Sequence, residues 1–306
     1  MLARKTSAVV EAMRPHQWVK NVFVFAAPFF GKELTHLPTA LHAIEAFAAF
    51  CLASSAVYVL NDLADVERDR LHPVKRDRPF ASGRLSTTAG GVLCAVLIAG
   101  AVVLCLLMQN VWAAVVLAIY VAANLLYSTM LKQVVILDVM FIAAGFLLRV
   151  LMGAYATAVR PSHWLLLCTL TLSLFLGFTK RRAELVTLGK NGSEQRQVLQ
   201  HYNVAFLDQM IAVVTGATVV CYIMYAVDER TMEMFGTRYL LGTVPFVLYG
   251  IFRYLYLNHN FNEGENPSKT IIRDRPFQIN LVLWGLVWLF VMYLGPKMSG
   301  WMPWNQ

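Results

Sequence analysis

The sequence predicts an all-α integral membrane protein, a bundle of nine transmembrane helices. Of its 306 residues, 58% are hydrophobic and only 14% are charged, whereas a soluble domain carries about 25% charged residues. Mean hydropathy is positive, at +0.55. The apolar residues come in runs long enough to cross a bilayer as helices, roughly 17–25 residues each. They lack the alternation of a membrane β-barrel. Lipid offers backbone groups no hydrogen-bond partner, so each run must satisfy its own, and a helix does so.

Taken in order, the spans fall at about 18–31, 40–60, 88–108, 111–130, 134–157, 162–179, 206–227, 238–257 and 277–295. The first is short and holds Lys20 and Asn21. Before it stand Arg4, Lys5, Glu11, Arg14 and His16, so the apolar core of a cleaved signal peptide is not expected there. With the N-terminus cytoplasmic, twenty of the 26 lysines and arginines fall on inside segments, five fall outside, and Arg149 lies within a span. That bias sets the expected orientation, and the expected location is a bacterial inner membrane. The net charge of +8 is therefore a membrane signature facing anionic headgroups, and no nucleic-acid partner is expected. Cys51, Cys94, Cys105, Cys168 and Cys221 sit singly in apolar runs with no metal-binding spacing, as small core residues. Three polar loops, 61–87, 180–205 and 258–276, share the cytoplasmic face and are expected to cap a cytoplasm-facing active site. Nothing divides 1–306 into more than one transmembrane domain, and self-association into a homo-oligomer stays open.

The strongest chemical signal is Asn61-Asp62-Leu63-Ala64-Asp65-Val66-Glu67-Arg68-Asp69, directly after the second span. Spacings of three and four residues put Asp62, Asp65 and Asp69 on one side of a helix, with Asn61 one turn before Asp65. Adjacent carboxylates repel unless a cation lies between them. Oxygen-only ligands favour magnesium, held by a few carboxylates together with substrate phosphates. The bland reading is a solvated helix end interleaved with Arg68 and Arg70. Acids at a span end cost stability, which weighs against it.

Basic groups follow. Lys75, Arg76 and Arg78, in a loop broken by Pro73, Pro79 and Gly83, can fold over an anionic substrate, although topology alone also explains such charges. Lys180, Arg181 and Glu184 mark the exit of the sixth span, with Lys180 and Glu184 one turn apart. Arg14, Gln17, Lys20 and Asn21 gather at the mouth of the first span. In the fifth span Asp138 and Arg149 lie roughly 16 Å apart along the helix axis, too far to pair, so each needs a partner elsewhere. Tyr127 and Lys132 lie near the same mouth as Asp138, and Arg275 precedes the ninth span. No Walker loop, dinucleotide fingerprint or defensible Ser-His-Asp order is present.

These residues resemble the UbiA superfamily of membrane prenyltransferases, whose pattern is nine helices with an NDxxDxxxD loop after the second. Within it the chain is most similar to the decaprenyl-phosphate phosphoribosyltransferase branch. The closer resemblance is carried by RPHQWVKN (Arg14 to Asn21), NDLADVERDRLHPVKRDRP (Asn61 to Pro79), YSTMLKQVVILD (Tyr127 to Asp138), GFLLRVLMG (Gly145 to Gly153), TKRRAEL (Thr179 to Leu185), PFVLYGIFRYLYL (Pro245 to Leu257) and DRP (Asp274 to Pro276). Aromatic prenyltransferases of the superfamily carry a second aspartate motif after the sixth span, where this chain has Lys180, Arg181, Arg182 and Glu184. A basic patch suits an additional phosphate.

The resemblance implies magnesium-dependent transfer of 5-phosphoribose from phosphoribosyl diphosphate to a polyprenyl phosphate, releasing diphosphate, with a product that feeds cell-envelope arabinan or a related glycan. It implies Asn61, Asp62, Asp65 and Asp69 as the metal site, and Lys180 and Arg181 beside the three aspartates as catalytic residues. Arg14, Gln17, Lys20, Asn21, Asn61, Lys75, Arg76, Arg78, Tyr127, Lys132, Asp138, Glu184 and Arg275 are the implied substrate-binding set. The competing enzyme moves a polyprenyl group from its diphosphate to an aromatic acceptor. A transporter is the competing class, but the paired Gly- or Pro-broken spans it would carry are not evident.

Overall fold

The computed structural model describes residues 2–188, 197–261 and 273–298. Residues 189–196 of loop 180–205 and 262–272 of loop 258–276, with Lys190, Arg196 and Lys269, lie outside the described residues. Among the described residues all regular structure is helical. Eight helices are long and apolar enough to cross a membrane: Leu37–Ala64, Thr87–Leu107, Val111–Thr129, Leu137–Ala156, His163–Thr187, Val204–Val227, Tyr239–Asn260 and Arg275–Leu294. They match the second to ninth expected spans. The expected first span is instead a 3-10 segment, Pro15–Phe25, followed by a five-residue helix, Ala26–Phe30. Its polar Lys20 and Asn21, with Pro15 and Pro28, deny it the length and apolarity of the others.

The chain divides into two compact units, Met1–Lys132 with Ala144–Pro161, and Gln133–Ala143 with Ser162–Gln306. The first contains α1 (Leu2–Met13), the 3-10 segment, α2 (Ala26–Phe30), α3 (Leu37–Ala64), α4 (Val66–Leu71), α5 (Thr87–Leu107), α6 (Val111–Thr129) and the later part of α7 (Leu137–Ala156). Helix α3 is its centre. Its buried Ala46, Ala49, Ala53 and Ala56 are small, which lets α5, α6 and the 3-10 segment approach closely. Larger side chains, Val24, Phe50, Tyr120 and Met152, fill the space between them. Ser86 and Asn110 cap α5 and α6, accepting hydrogen bonds from the backbone N–H groups of Ala89 and Trp112.

Eleven residues is long for a 3-10 run, and α3 and α7 hold this one in place. Trp18 Nε1 donates to Ser55 Oγ at 3.0 Å, and Asn21 Nδ2 lies 3.2 Å from both Ser54 Oγ and Cys51 Sγ. From α7, Arg149 Nε donates to Asn21 Oδ1 at 2.8 Å. Gly153 lies so close to the segment that a Cβ there would collide with the Val24 carbonyl. Arg149 is the expensive intramembrane cation of the sequence, and the structure supplies its partners. Beyond Asn21 it donates to the Gly145 carbonyl and the Tyr120 hydroxyl, at 2.7 and 3.3 Å. Its guanidinium also faces the rings of Phe50 and Tyr120, at 4.9 and 5.0 Å. Hydrogen bonds and aromatic faces together offset much of the cost of burying the charge.

The second unit contains the start of α7, α8 (His163–Leu188), a 3-10 turn (Gln197–His201), α9 (Val204–Val227), α10 (Glu229–Phe235), a second 3-10 turn (Tyr239–Thr243), α11 (Val244–Phe261) and α12 (Arg275–Met298). Val139, Phe175, Phe178, Leu207, Ile211 and Tyr254 form its core. Asn203 and Asp274 cap α9 and α12, accepting from the N–H groups of Phe206 and Phe277, both at 2.7 to 2.8 Å.

Candidate functional site

In the first unit the acidic motif straddles a break. Helix α3 ends at Ala64, Asp65 adopts φ −97° and ψ 4°, and α4 restarts at Val66. Backbone bonds from Asp65 to Asn61 and from Asp69 to Asp65 carry the helical direction across it. Asp62 and Asp69, two turns apart, remain on one flank and are buried, 4% and 3% exposed. One cation joins them: Arg78 Nη1 lies 3.0 Å from Asp62 Oδ1 and 2.7 Å from Asp69 Oδ2. Arg14 Nη2 reaches the same Asp62 oxygen at 2.6 Å. Arg14 sits at φ 53°, a left-handed conformation uncommon for a side-chain-bearing residue, directly before the 3-10 segment.

Asp65, expected beside them, is not among the carboxylates that Arg78 joins. It is partly exposed and meets Arg68 at 3.5 Å. Asn61 is half-buried, and its side-chain amide has no hydrogen bond among the described residues. Arg76 is exposed and Lys75 partly so, in the turn Lys75–Asp77, and neither forms an ion pair among the described residues. The loop is strapped down further along, where Arg84 grips Glu11 with both terminal nitrogens at 2.6 and 2.9 Å. The hydrogen bond to Glu11 raises the Arg84 pKa above its ordinary value.

Among the described residues no three His, Cys, Asp or Glu side chains converge as a metal cage. The donor set at Asp62 and Asp69 still fits magnesium. Two buried carboxylates already share a single cationic nitrogen, and magnesium characteristically takes one or two carboxylates and completes its shell with water and substrate phosphate.

Other residues of the N-terminal group are spread out. Asn21 is wholly enclosed in the Arg149 network, at 0% exposure, while Gln17 is partly exposed and Lys20 lies at the surface. Tyr127 and Lys132 are partly exposed, at the end of α6 and in the turn after it.

The second unit gathers the other charged motif. Asp138, at the start of α7, is 0% exposed and Arg181, on α8, is 1% exposed. Arg181 Nε donates to Asp138 Oδ2 at 2.7 Å, and its Nη1 donates to Glu184 Oε2 at 2.7 Å. The other oxygen of Glu184 faces Lys180 Nζ at 3.8 Å. Tyr202 donates its hydroxyl to Asp138 Oδ1 at 2.7 Å and accepts the Ile136 N–H at 2.6 Å. Burial and the bond to Asp138 push the Tyr202 phenol above its ordinary pKa. Arg182, one residue on, pairs with Asp208 at 2.5 Å. At the start of α12, Arg275 is exposed, and its neighbour Asp274 is held by Arg253 through bonds of 3.2 and 2.8 Å.

Sequence reasoning placed Asp138 and Arg181 near a site but did not pair them, and it missed Tyr202 and Asp208. Asp208 had a usable signal, being a carboxylate inside an expected span. Tyr202 had none, since it lies 64 residues from its partner.

A family model described as the UbiA prenyltransferase family matches residues 22–282. The chain is 34% identical over 290 residues to the decaprenyl-phosphate phosphoribosyltransferase of Mycolicibacterium smegmatis, covering 91% of this chain and 90% of that protein. It is 32% identical over 292 residues to the protein of the same name from Corynebacterium glutamicum, covering 94% of this chain and 87% of that one. A solved structure of a UbiA homolog from Archaeoglobus fulgidus, bound to DMAPP and Mg2+, superposes with a TM-score of 0.70 at 16% identity, covering 93% of this chain and 98% of that one. At that identity the likeness shows a shared fold.

Proposed function

Because the chain belongs to the UbiA prenyltransferase family, we propose that it transfers 5-phosphoribose from phosphoribosyl diphosphate to a polyprenyl phosphate of the decaprenyl type. It is a multi-pass membrane protein. We place it in a bacterial inner membrane with the N-terminus and both charged clusters cytoplasmic, following the distribution of lysine and arginine, and we treat 1–306 as one catalytic domain. The observation that carries the proposal is the full-length likeness to two decaprenyl-phosphate phosphoribosyltransferases. The charged residues agree with it.

In the reaction the bond from C1 of the ribose to the diphosphate oxygen breaks, and its electron pair leaves with diphosphate. A polyprenyl-phosphate oxygen supplies the new pair to C1. The acceptor is already anionic, so no protein nucleophile or strong base is needed, in keeping with the lack of a triad. Charge develops on the leaving diphosphate, and groups aimed at that charge lower the barrier most. Asp62 and Asp69, with water and phosphate oxygens, would hold magnesium, which supplies Lewis acidity toward that leaving charge. Arg14 stands on Asp62 and Arg78 on both carboxylates, with 24% and 29% of their side chains exposed, so each can also donate to a phosphate. In the second unit Lys180, 43% exposed, presents a further cation where a second acidic motif would serve a prenyl diphosphate.

The test is product analysis. Purified protein, magnesium, labelled phosphoribosyl diphosphate and decaprenyl phosphate should yield a lipid heavier by one phosphoribosyl group in mass spectrometry. If no such lipid forms, and a polyprenyl diphosphate is consumed with an aromatic acceptor, the aromatic prenyltransferase takes its place.

A further inference from the structure

Arg181 stands beside Lys180 in sequence, yet the two side chains have different places. Arg181 is 1% exposed and its Nε and Nη1 each donate to a carboxylate, while 43% of the Lys180 side chain is exposed. The cations are linked through Glu184, one of whose oxygens faces Arg181 and the other Lys180. Behind Arg181 stands Asp138, and behind Asp138 stands Tyr202. The network therefore runs from a buried phenol to an accessible ammonium, each member fixing the next.

We propose that Tyr202 is a positioning residue for the Lys180 ammonium, acting through Asp138, Arg181 and Glu184 to hold it where a substrate phosphate binds. This rests on the reading of Lys180 as a phosphate-binding cation. The physical reason lies in how Asp138 is satisfied. It is wholly buried, and its two oxygens accept one from Tyr202 and the other from Arg181. Without the phenol hydroxyl, Oδ1 would be left buried and unpaired. An unpaired buried acceptor is costly enough to force rearrangement. The Arg181 guanidinium can swing Nη2 toward that oxygen, and because the group is rigid and planar the same rotation draws Nη1 off Glu184 Oε2. Glu184 would then drift, and with it the 3.8 Å contact to Lys180.

The Tyr202 hydroxyl does a second task that explains its rigidity. Ile136 sits at φ 70°, a left-handed conformation that is an outlier for a β-branched residue, and its N–H is bound by Tyr202. Strain of this kind persists only where the surroundings over-determine it, and such positions cluster at functional sites. The phenol oxygen is thus fixed from two sides, by a donor from the turn before α7 and by an acceptor on α7 itself.

The experiment is a double-mutant cycle on the full-length protein in detergent, using Tyr202→Phe and Lys180→Ala. Binding of phosphoribosyl diphosphate and of polyprenyl phosphate is measured separately from product formation. Tyr202→Phe keeps the ring and its packing. It should weaken, by about tenfold, the same substrate that Lys180→Ala weakens. In the Lys180→Ala background it should add less than about twofold, because the group it positions is gone. Multiplicative effects, a Tyr202→Phe change confined to melting temperature, or a Lys180→Ala variant that binds both substrates normally would each overturn the proposal. A coupled loss of binding in a protein that makes no lipid-linked phosphoribose would refute the proposed reaction while leaving the positioning role standing. Normal product formation without coupling would do the reverse.

Discussion

Each unit of the protein carries a cluster in which arginine bridges two carboxylates, and the two clusters differ in closure. In the first unit Asp62 and Asp69 are buried, but Arg14 and Arg78 keep 24% and 29% of their side chains exposed. In the second, Asp138 and Arg181 are both sealed, at 0% and 1% exposure. A cation at the rim can trade a carboxylate for a ligand phosphate at modest cost, since water screens it during the exchange. A sealed pair has no such freedom, because separating it strands a charge in a dry interior. The same pairing chemistry therefore serves exchange in one place and scaffolding in the other, with Lys180 as the scaffold's accessible end.

The sharpest way to break this contrast is Arg181→Ala. Removing one partner of a buried pair leaves Asp138 uncompensated and should destabilise the protein by about 3–5 kcal/mol. Thermal or denaturant unfolding in detergent measures it. Arg14→Ala, which opens a rim contact and leaves Asp62 paired with Arg78, should cost far less in the same assay. Equal losses from the two variants would erase the distinction.

Asp62→Asn inverts the pattern. The amide fills the same volume and still accepts from Arg14, so melting should be nearly unchanged. Turnover should fall about 10²–10³-fold, the usual loss when a group stabilising transition-state charge is removed. A steady-state assay across a magnesium titration checks it. Retained turnover at saturating magnesium would remove the metal role from Asp62.

How much of this was legible in the sequence follows from the range of the interactions. The eight long helices were legible because an apolar run is a local signal, and so was the i, i+7 placement of Asp62 and Asp69. The break at Asp65 was not, since nothing in the residue itself halts a helix. The first span is not a long α-helix for a readable reason, Lys20 and Asn21 within it, and its 3-10 form depends on Ser54, Ser55 and Arg149. The need of Asp138 and Arg149 for partners was plain from their cost in lipid. Which partners they take was not, since Arg181 lies 43 residues from Asp138, and Asn21 lies 128 from Arg149. Sequence periodicity does not encode such pairings.

Asp65 tests whether membership of the acidic motif or place in the structure decides function. Asp65→Asn should reduce turnover by less than about fivefold, on the order of 1 kcal/mol in the barrier. A loss as large as that of Asp62→Asn would show that all three aspartates act together. Parallel kinetics of the two variants at fixed magnesium separate these outcomes.

The smallest effect should come from an open pair. Arg253 and Asp274 lie in the second unit, as Asp138 and Arg181 do, but Arg253 keeps 27% of its side chain exposed. The hydrogen bonds from Arg253, helped by the Phe277 N–H, hold the Asp274 carboxyl below the ordinary carboxylate range. A carboxylate whose pKa is depressed by folding contributes stability that is fully present above its unfolded value, about 3.9. That contribution is lost as pH falls through the lower folded value. Asp274→Asn keeps an oxygen to cap α12 but removes the charge, so the variant should melt slightly lower at neutral pH and lose less between about pH 4 and 2. Salt should shrink the difference, since water reaches this pair. Melting curves across that range at two ionic strengths decide it. A salt-independent effect as large as that of Arg181→Ala would mean that exposure does not grade these pairs.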